Sequence, residues 1–386
     1  MTCRTDSSGP WTYRFCPDDP PLASDRLRAV VRWTAVDEIT QQGPNVDVRI
    51  TTEALGLAPR VARDGIMGLV GNPLRLYPDL DINPVSISYT VETPGYLPRE
   101  RTVQLGPLGT FPADFTPADD GALALHRTPF ALRGRAVQLT PGVLIPAPIP
   151  LTTVSITGVW WTFPPADVVA STMLQPANLV SLHPGLHADR LLGNSPTVRR
   201  RDLAHVAGQD KTLVLPAARG TTTAKVSDRV GVVAGTVLAF EPARPDRVEY
   251  VTVTAVAGAS TDDQSATVTL AHRLHLDHEE ATAVHVVAPQ APGASRALVR
   301  DGVRGDRVAF LAAMGGISAG VVEVSGGAAA EYQTASLYST TTDVNGYYRL
   351  PPLSRVASVQ LETPALLLVM SPDYGRYENL VDLVHL

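Results

Sequence analysis

The sequence contains few of the residues that stabilise small secreted domains or that span membranes. Its 386 residues include only two cysteines, Cys3 and Cys16, which excludes a framework of several structural disulfides. Two thiols cannot complete a structural zinc site by themselves, so free thiols, one disulfide and a metal shared with another chain all stay open. The longest apolar run, residues 365–370, is far shorter than the ~20 residues that cross a bilayer. We therefore expect no membrane span.

Basic residues are not in excess, and lysine is nearly absent. Only Lys211 and Lys225 occur, so arginine supplies almost all of the positive charge, and the net charge is −6. A chain without a basic excess lacks the charge that binding to a phosphate backbone requires, which makes nucleic acid a poor candidate partner. The first residues contain no apolar segment of the ~7–15 residues typical of a secretory signal, so we expect cytoplasmic synthesis without a signal peptide.

Short runs of β-branched residues dominate the rest of the chain. The 30 glycines and 33 prolines interrupt the sequence too often for long helices. Residues 85–91 alternate strictly between apolar and polar side chains, which is typical of a strand with one buried face. The patterns predict an all-β fold of tandem immunoglobulin-like or transthyretin-like sandwiches with one small antiparallel β-barrel-like domain.

Turn-rich and proline-rich stretches suggest the domain boundaries. The predicted divisions are an N-terminal arm over 1–24, a β-sandwich over 25–128, a β-sandwich with an irregular connecting segment over 129–201, a small antiparallel β domain over 202–290, and a last β-sandwich over 291–386. Arg199, Arg200 and Arg201 close the irregular segment, and we interpret them as a solvated charge run.

Two segments resemble a known sandwich family. Residues 342–350 contain Asp-x-Asn-Gly followed by Tyr-Tyr-Arg-Leu, with Pro-Pro-Leu directly after them. This stretch resembles the carboxypeptidase regulatory-like and transthyretin-like β-sandwich domains, in which such a motif marks a β-hairpin. Residues 132–137 and 154–158 look like the opening strands of the same family. The resemblance implies a non-catalytic structural or assembly module. Asp343 and Asn345 could suggest a calcium loop, but the ligand pattern with a later glutamate is incomplete, so we favour turn chemistry.

The unit over 202–290, which we call the β module, resembles a different group. Residues 235–238, 249–256, 268–270 and 278–284 look like a small β module of phage-tail and contractile-injection-system structural proteins. Ala281 stands where that pattern has glycine. This resemblance also implies a structural role.

Three histidines form the densest group of metal-capable side chains. His272, His275 and His278 lie between two predicted strands, so they belong to a loop. In a strand their odd spacing would place neighbours on opposite faces, whereas a loop could gather His275, His278 and Glu279 around zinc. We favour a solvated turn and keep a metal site as the alternative.

No familiar catalytic motif is present. The sequence has no Gly-x-Ser-x-Gly elbow, phosphate-binding glycine loop, His-Glu-x-x-His or Cys-x-x-Cys. We therefore expect neither an enzyme nor a cofactor. Trp11, Trp160 and Trp161 offer aromatic faces for a sugar ligand or a protein interface, and the adjacent pair would point to opposite sides of one strand.

These observations favour one function and leave two alternatives. The leading hypothesis is a non-enzymatic structural component of a phage-tail-like contractile injection particle, associated with its baseplate, spike, collar or cap and bound to other structural subunits. The second is a carbohydrate- or cell-surface-binding module, with a glycan as ligand. The third is a metal-dependent enzyme centred on His272, His275 and His278.

Overall fold

The structure is a computed structural model that divides into two compact units, unit 1 (Met1–Arg127) and unit 2 (Thr128–Leu386). It describes residues 4–8, 11–15, 28–44, 47–54, 56–61, 66–72, 83–106, 117–161, 173–174, 178–257 and 263–386. Within these ranges every regular element is a β-strand, apart from a single 3₁₀ turn at Leu192–Asn194. The all-β prediction is confirmed. Cys3 and Cys16 lie outside the described residues.

Unit 1 is a β-sandwich preceded by a hairpin. Its strands are β1 (Arg4–Ser8), β2 (Trp11–Phe15), β3 (Arg28–Asp37), β4 (Arg49–Thr52), β5 (Ala58–Val61), β6 (Ile66–Gly71), β7 (Val85–Glu92), β8 (Arg99–Leu105) and β9 (Ala118–Leu125). One sheet has the order β5-β6-β3-β9 and the other the order β4-β7-β8, while β1 pairs with β2 inside the region expected to be an N-terminal arm. Trp33 of β3 stacks on Tyr89 of β7 with ring centroids 4.0 Å apart, so aromatic packing joins the two sheets.

Unit 2 contains the remaining strands. They are β10 (Ala131–Gln138), β11 (Ala147–Pro148), β12 (Thr153–Trp160), β13 (Met173–Leu174), β14 (Leu179–His183), β15 (Thr197–Arg200), β16 (Leu203–Thr212), β17 (Thr223–Val226), β18 (Val237–Phe240), β19 (Glu249–Val256), β20 (Ala266–Leu270), β21 (Ala283–Pro289), β22 (Arg296–Ala297), β23 (Val308–Phe310), β24 (Gly320–Val324), β25 (Glu331–Ser336), β26 (Ser339–Thr341), β27 (Tyr347–Arg349), β28 (Ser358–Thr363), β29 (Leu366–Met370), β30 (Glu378–Leu380) and β31 (Leu383–His385).

The first sandwich of unit 2 is assembled from two distant parts of the chain. In one sheet β10 pairs with β11, β27, β30 and β31, and in the other β12 pairs with β13, β26 and β28, with β29 beyond β28. Buried side chains from both parts, such as Ile156 and Leu361, share one core. The predicted boundaries 129–201 and 291–386 therefore separate strands that pair with each other. Alternation in the sequence specifies which face of a strand is buried and carries no information about its partner.

The β module has its own core within unit 2. Its strands follow the order β16-β21-β18-β19-β20-β17. An isolated bridge between Leu213 and Val226 joins the end of β17 to the residue after β16, without closing a barrel. Leu238, Phe240 and Val268 are among the fully buried residues at its centre.

The segment predicted to be irregular before the β module contains two strands of a twelve-stranded sheet. β14 pairs with β23 and β25, and β15 pairs with β22 and β24. The arginines at the end of this segment are ion-paired, which corrects the expectation of a purely solvated run. Arg199 Nη2 lies 2.5 Å and Arg201 Nε lies 3.4 Å from carboxylate oxygens of Glu323. A glutamate on a neighbouring strand, 122 to 124 positions away, is invisible in the local sequence.

The Asp-x-Asn-Gly segment forms a tight turn. The carboxylate of Asp343 accepts hydrogen bonds from the backbone N–H groups of Asn345 and Tyr347, each at 2.8 Å, and Gly346 has a φ of +80°. The expected hairpin is wrong, however. β26 before the turn pairs with β12 and β27 after it pairs with β10, so the turn connects the two sheets of the sandwich.

Candidate functional site

The strand β29 is an apolar edge of the unit 2 sandwich. Its sequence is Leu-Leu-Leu-Val-Met, and among the described residues it pairs only with β28. The side chains of Leu366, Leu368 and Met370 pack against the core. Those of Leu367 and Val369 point the other way and are 57% and 51% exposed. Both faces of this edge strand are therefore apolar, and no other strand within the described residues pairs with its outer backbone groups.

A second apolar element begins at the same end of the sandwich. Leu139 N–H donates to the carbonyl of His385 at 2.7 Å, and His385 Nε2 lies 3.3 Å from Oγ1 of Thr363, the last residue of β28 before the turn into β29. The loop after Leu139 contains Leu144 and Ile145, which are 100% and 79% exposed. Exposed neighbouring apolar side chains of this kind are typical of protein interaction surfaces.

A buried network of histidines and carboxylates lies where the β module meets the rest of unit 2. His187 Nε2 is 2.8 Å from Glu249 and its Nδ1 is 2.9 Å from Glu331, with all three side chains fully buried. Arg190 Nε donates to the second oxygen of Glu331 at 2.9 Å. Two carboxylates can accept from both ring nitrogens only if His187 is protonated.

The electrostatics of the network agree with this assignment. Burial alone would lower the pKa of His187, but hydrogen bonds to Glu249 and Glu331 and their negative charges raise it to about 9. For Glu331, burial acts to raise the pKa, and the opposing contacts with His187 and Arg190 lower it to about 2. Glu249 behaves in the same way, with its pKa held far below the ordinary range. The network is thus a set of paired buried charges.

Two of the three predicted metal-site histidines belong to this network. His278 lies 3.0 Å from Glu241 and 3.3 Å from Glu249 through its two ring nitrogens. His275 donates through Nε2 to the carbonyl of Leu186 at 2.9 Å, and its backbone N–H donates to Glu249. The ring of His272 stacks near His187, with centroids 5.6 Å apart.

The predicted solvated turn is therefore wrong for His275 and His278. The loop contacts the carboxylates of Glu249, a fully buried residue of β19, and of Glu241, a partly buried residue that directly follows β18. These partners lie 26 to 37 positions before the histidines that they contact, so the local sequence does not reveal them. Because the central side chains are fully buried, the network fixes the position of the β module and offers no open site for a substrate.

The adjacent tryptophans are both half-buried. Trp161 packs edge-on against Phe310 with ring centroids 5.9 Å apart, and the Arg300 guanidinium lies 5.1 Å from its ring. Trp160 is the last residue of β12 and is also half-buried. Trp161 packs against the core of the sandwich, and neither tryptophan is fully buried or fully exposed. The side chain of Trp11 lies outside the described residues.

An open groove crosses the sandwich beside the Asp-x-Asn-Gly turn. The half-exposed ring of Tyr347 lies in it, next to Asp343, Arg349 and Asp382. The guanidinium of Arg135 lies 5.3 Å from the centre of that ring. An aromatic face surrounded by charged hydrogen-bonding groups is the kind of surface that sugar rings bind.

Residues capable of holding a metal ion converge elsewhere on the β module. His205, Asp210 and His285 are the group of three metal-capable side chains found within the described part of the chain, and their ligand atoms all lie within 4.8 Å of one another. Sequence reasoning missed this group because the two histidines lie 80 positions apart in the chain. The one local signal is Gly208, a glycine inside a strand, which often marks a bulge.

No helix in the described residues is both long and apolar enough to cross a membrane. No protein-family model matches the chain, and no curated protein matches it.

Proposed function

We propose that this protein is a non-enzymatic structural component of a phage-tail-like contractile injection particle, associated with the baseplate, spike, collar or cap. It acts through contacts with neighbouring subunits. The apolar edge strand β29 is the single observation that carries the assembly role, and the sequence resemblances of the β module and of the last sandwich support the choice of particle.

The unpaired backbone groups of an edge strand explain why β29 is suited to bind a strand of another subunit. An edge exposes unpaired N–H and C=O groups, and monomeric proteins protect such edges with lysine, proline, bulges or inward charges. The strand Leu366–Met370 contains no lysine, proline or charged residue, and its pairing with β28 has no register shift that would indicate a bulge. A strand of a neighbouring subunit would extend the sheet and cover Leu367 and Val369.

The surroundings of β29 favour a specific interface. Glu362 and Gln360 lie opposite Leu367 and Val369 on β28, so polar groups border the apolar side chains on the outer face. An apolar centre with a polar border is the usual arrangement of protein interfaces. The exposed Leu144 and Ile145 at the same end of the sandwich supply further apolar surface.

The test is recovery of partners from the native host with a tagged chain. The double variant Leu367→Glu/Val369→Glu places two charges on the proposed interface, and each apolar side chain contributes on the order of 1 kcal/mol when its exposed half is buried. We expect the variant to recover at least tenfold less sheath, tube or baseplate protein than the unaltered chain, measured by mass spectrometry.

Val233→Glu is the matched control, because Val233 is 62% exposed on the β module, away from β29. It should recover the same partners as the unaltered chain. The proposal fails if the unaltered chain elutes alone or if the double variant recovers particle proteins as well as the control does.

A carbohydrate- or cell-surface-binding function is the second candidate. The groove beside Tyr347 favours it, because the half-exposed ring lies among Asp343, Arg349 and Asp382. Trp161 contributes less than its sequence position suggests, since Phe310 and Arg300 already contact its ring. A glycan site would therefore be centred on Tyr347.

A further inference from the structure

We propose that His205, Asp210 and His285 form a binding site for a divalent transition-metal ion, and we take zinc as its occupant. The site lies on the sheet formed by β16 and β21. It is separate from the buried network around His187 and does not depend on the assembly role.

A bulge in β16 creates the site. His205 and Asp210 are five positions apart, so an uninterrupted strand would point them to opposite faces. In the structure His205 pairs with Val287 and Asp210 pairs with His285, while the register shifts between them. Four residues of β16 thus oppose a single residue of β21, and Gly208 within them has a φ of +77°. Since residues 285 and 287 share a face, the bulge places His205, Asp210 and His285 on one side of the sheet.

The three side chains converge on one point. His205 Nε2 lies 2.7 Å and His285 Nε2 lies 3.4 Å from the same oxygen, Asp210 Oδ1. The two imidazole rings stack with centroids 4.3 Å apart and an angle of 26° between their planes. Both histidines therefore present the same ring nitrogen to the same place, with a carboxylate oxygen beside them.

This set of donors suits zinc. Zinc binds imidazole nitrogen and carboxylate oxygen in a tetrahedral arrangement, and sites with three protein ligands leave a fourth position to water. His205 and Asp210 are exposed and His285 is half-buried, so an ion can reach the cluster from solvent. Two imidazoles and one carboxylate also favour transition metals over calcium or magnesium, which prefer oxygen ligands alone.

The histidines predicted from sequence are poor competitors for the ion. Both ring nitrogens of His278 already lie near carboxylates, and His275 Nε2 donates to a backbone carbonyl. Burial around His275 and the positive charge of His187 lower the pKa of His275 to about 4. A cation placed there would be repelled by the protonated His187.

The experiment uses the full-length chain, with any affinity tag removed and with Cys3→Ser and Cys16→Ser so that thiols do not bind the metal. After treatment with a chelator, zinc alone is titrated by calorimetry, and cobalt is added in a parallel sample to give an absorption spectrum that reports its coordination. We expect one zinc ion per chain. Asp210→Asn and His285→Ala should each weaken zinc binding at least tenfold and change the cobalt spectrum.

His272→Ala is the matched control, because His272 is metal-capable in sequence and lies outside the cluster. It should bind zinc as the parent does, while circular dichroism and thermal unfolding show that every variant is folded. Asp210→Asn preserves the shape of the side chain and keeps the test valid if a histidine variant does not fold. The proposal is overturned if the parent binds no stoichiometric zinc, if Asp210→Asn and His285→Ala retain it, or if His272→Ala loses it.

Discussion

Raising the pH through the alkaline range will destabilise unit 2, because the fold holds His187 in its protonated form. The pKa of His187 is raised to about 9 by Glu249 and Glu331 against the opposing effect of burial, whereas a histidine in an unfolded chain titrates near about 6.5. The stabilisation is therefore complete below about pH 6.5 and is lost as the pH rises through about 9.

The magnitude follows from the two pKa values. A difference of about 2.5 between them corresponds to a loss of about 3 kcal/mol in the free energy of unfolding between about pH 6.5 and pH 9.5. Since the side chains of His187 and of both carboxylates are fully buried, solvent does not screen this interaction.

The neighbouring groups His275 and Glu331 affect the stability of unit 2 at acidic pH. Burial and the charge of His187 lower the pKa of His275 to about 4, so its contribution is present above about pH 6.5 and is lost as the pH falls through about 4. The pKa of Glu331 is lowered to about 2, so its contribution is lost only as the pH falls from about 4.5 through 2. The stability of unit 2 should thus be greatest near about pH 6.5.

The assay is urea unfolding at a series of pH values, followed by pulsed hydrogen exchange and mass spectrometry. Peptides from 178–257 and 263–336 belong to unit 2 and therefore report its unfolding alone. His187→Gln serves as the comparison, because glutamine does not titrate. An NMR titration of the His187 ring measures its pKa directly and does not need the variant to fold. A His187 pKa near 6.5, or an equal alkaline loss of stability in His187→Gln, would refute the reasoning.

Two further predictions concern the sandwich of unit 2. Gly134→Ala would place a Cβ against the backbone carbonyl of Val381, so we expect a loss of about 3 kcal/mol or more in unfolding free energy, measured by urea denaturation. Gly142→Ala should cost less, because a Cβ there meets open space and the strain comes only from the φ of +83°. If the groove binds sugars, Tyr347→Ala will lower binding on a glycan array at least tenfold while Trp161→Ala retains it; an array without binding by the parent chain would remove this candidate.

Local sequence patterns were sufficient to predict the fold class. Strict alternation over 85–91 corresponds to β7, and the segments 132–137 and 154–158, which resemble opening strands of a sandwich, lie within β10 and β12. Strand partners were not predictable in this way. β10 pairs with four strands, and three of them come from the last 40 residues, because side-chain alternation determines the buried face and tertiary packing determines the neighbour.

The candidate sites likewise depend on residues that are distant in sequence and that local patterns do not reveal. The sequence identifies the loop of His275 and His278 as rich in histidine, but Glu249 and Glu331, which decide its environment, lie on other strands. Spacing was misleading for His205 and Asp210, whose odd separation implies opposite faces. The bulge in β16 places both side chains on the same face, and Gly208 is the one local residue that indicates a bulge.

Electron microscopy of the tagged chain purified under native conditions from its own host tests the central claim most directly. If the protein is an assembly component, the eluate will contain tail-like particles together with sheath, tube or baseplate proteins, and Leu367→Glu/Val369→Glu will remove them while Val233→Glu will not. A chain that elutes as an isolated monomer, with no particles in the micrographs, would contradict the account.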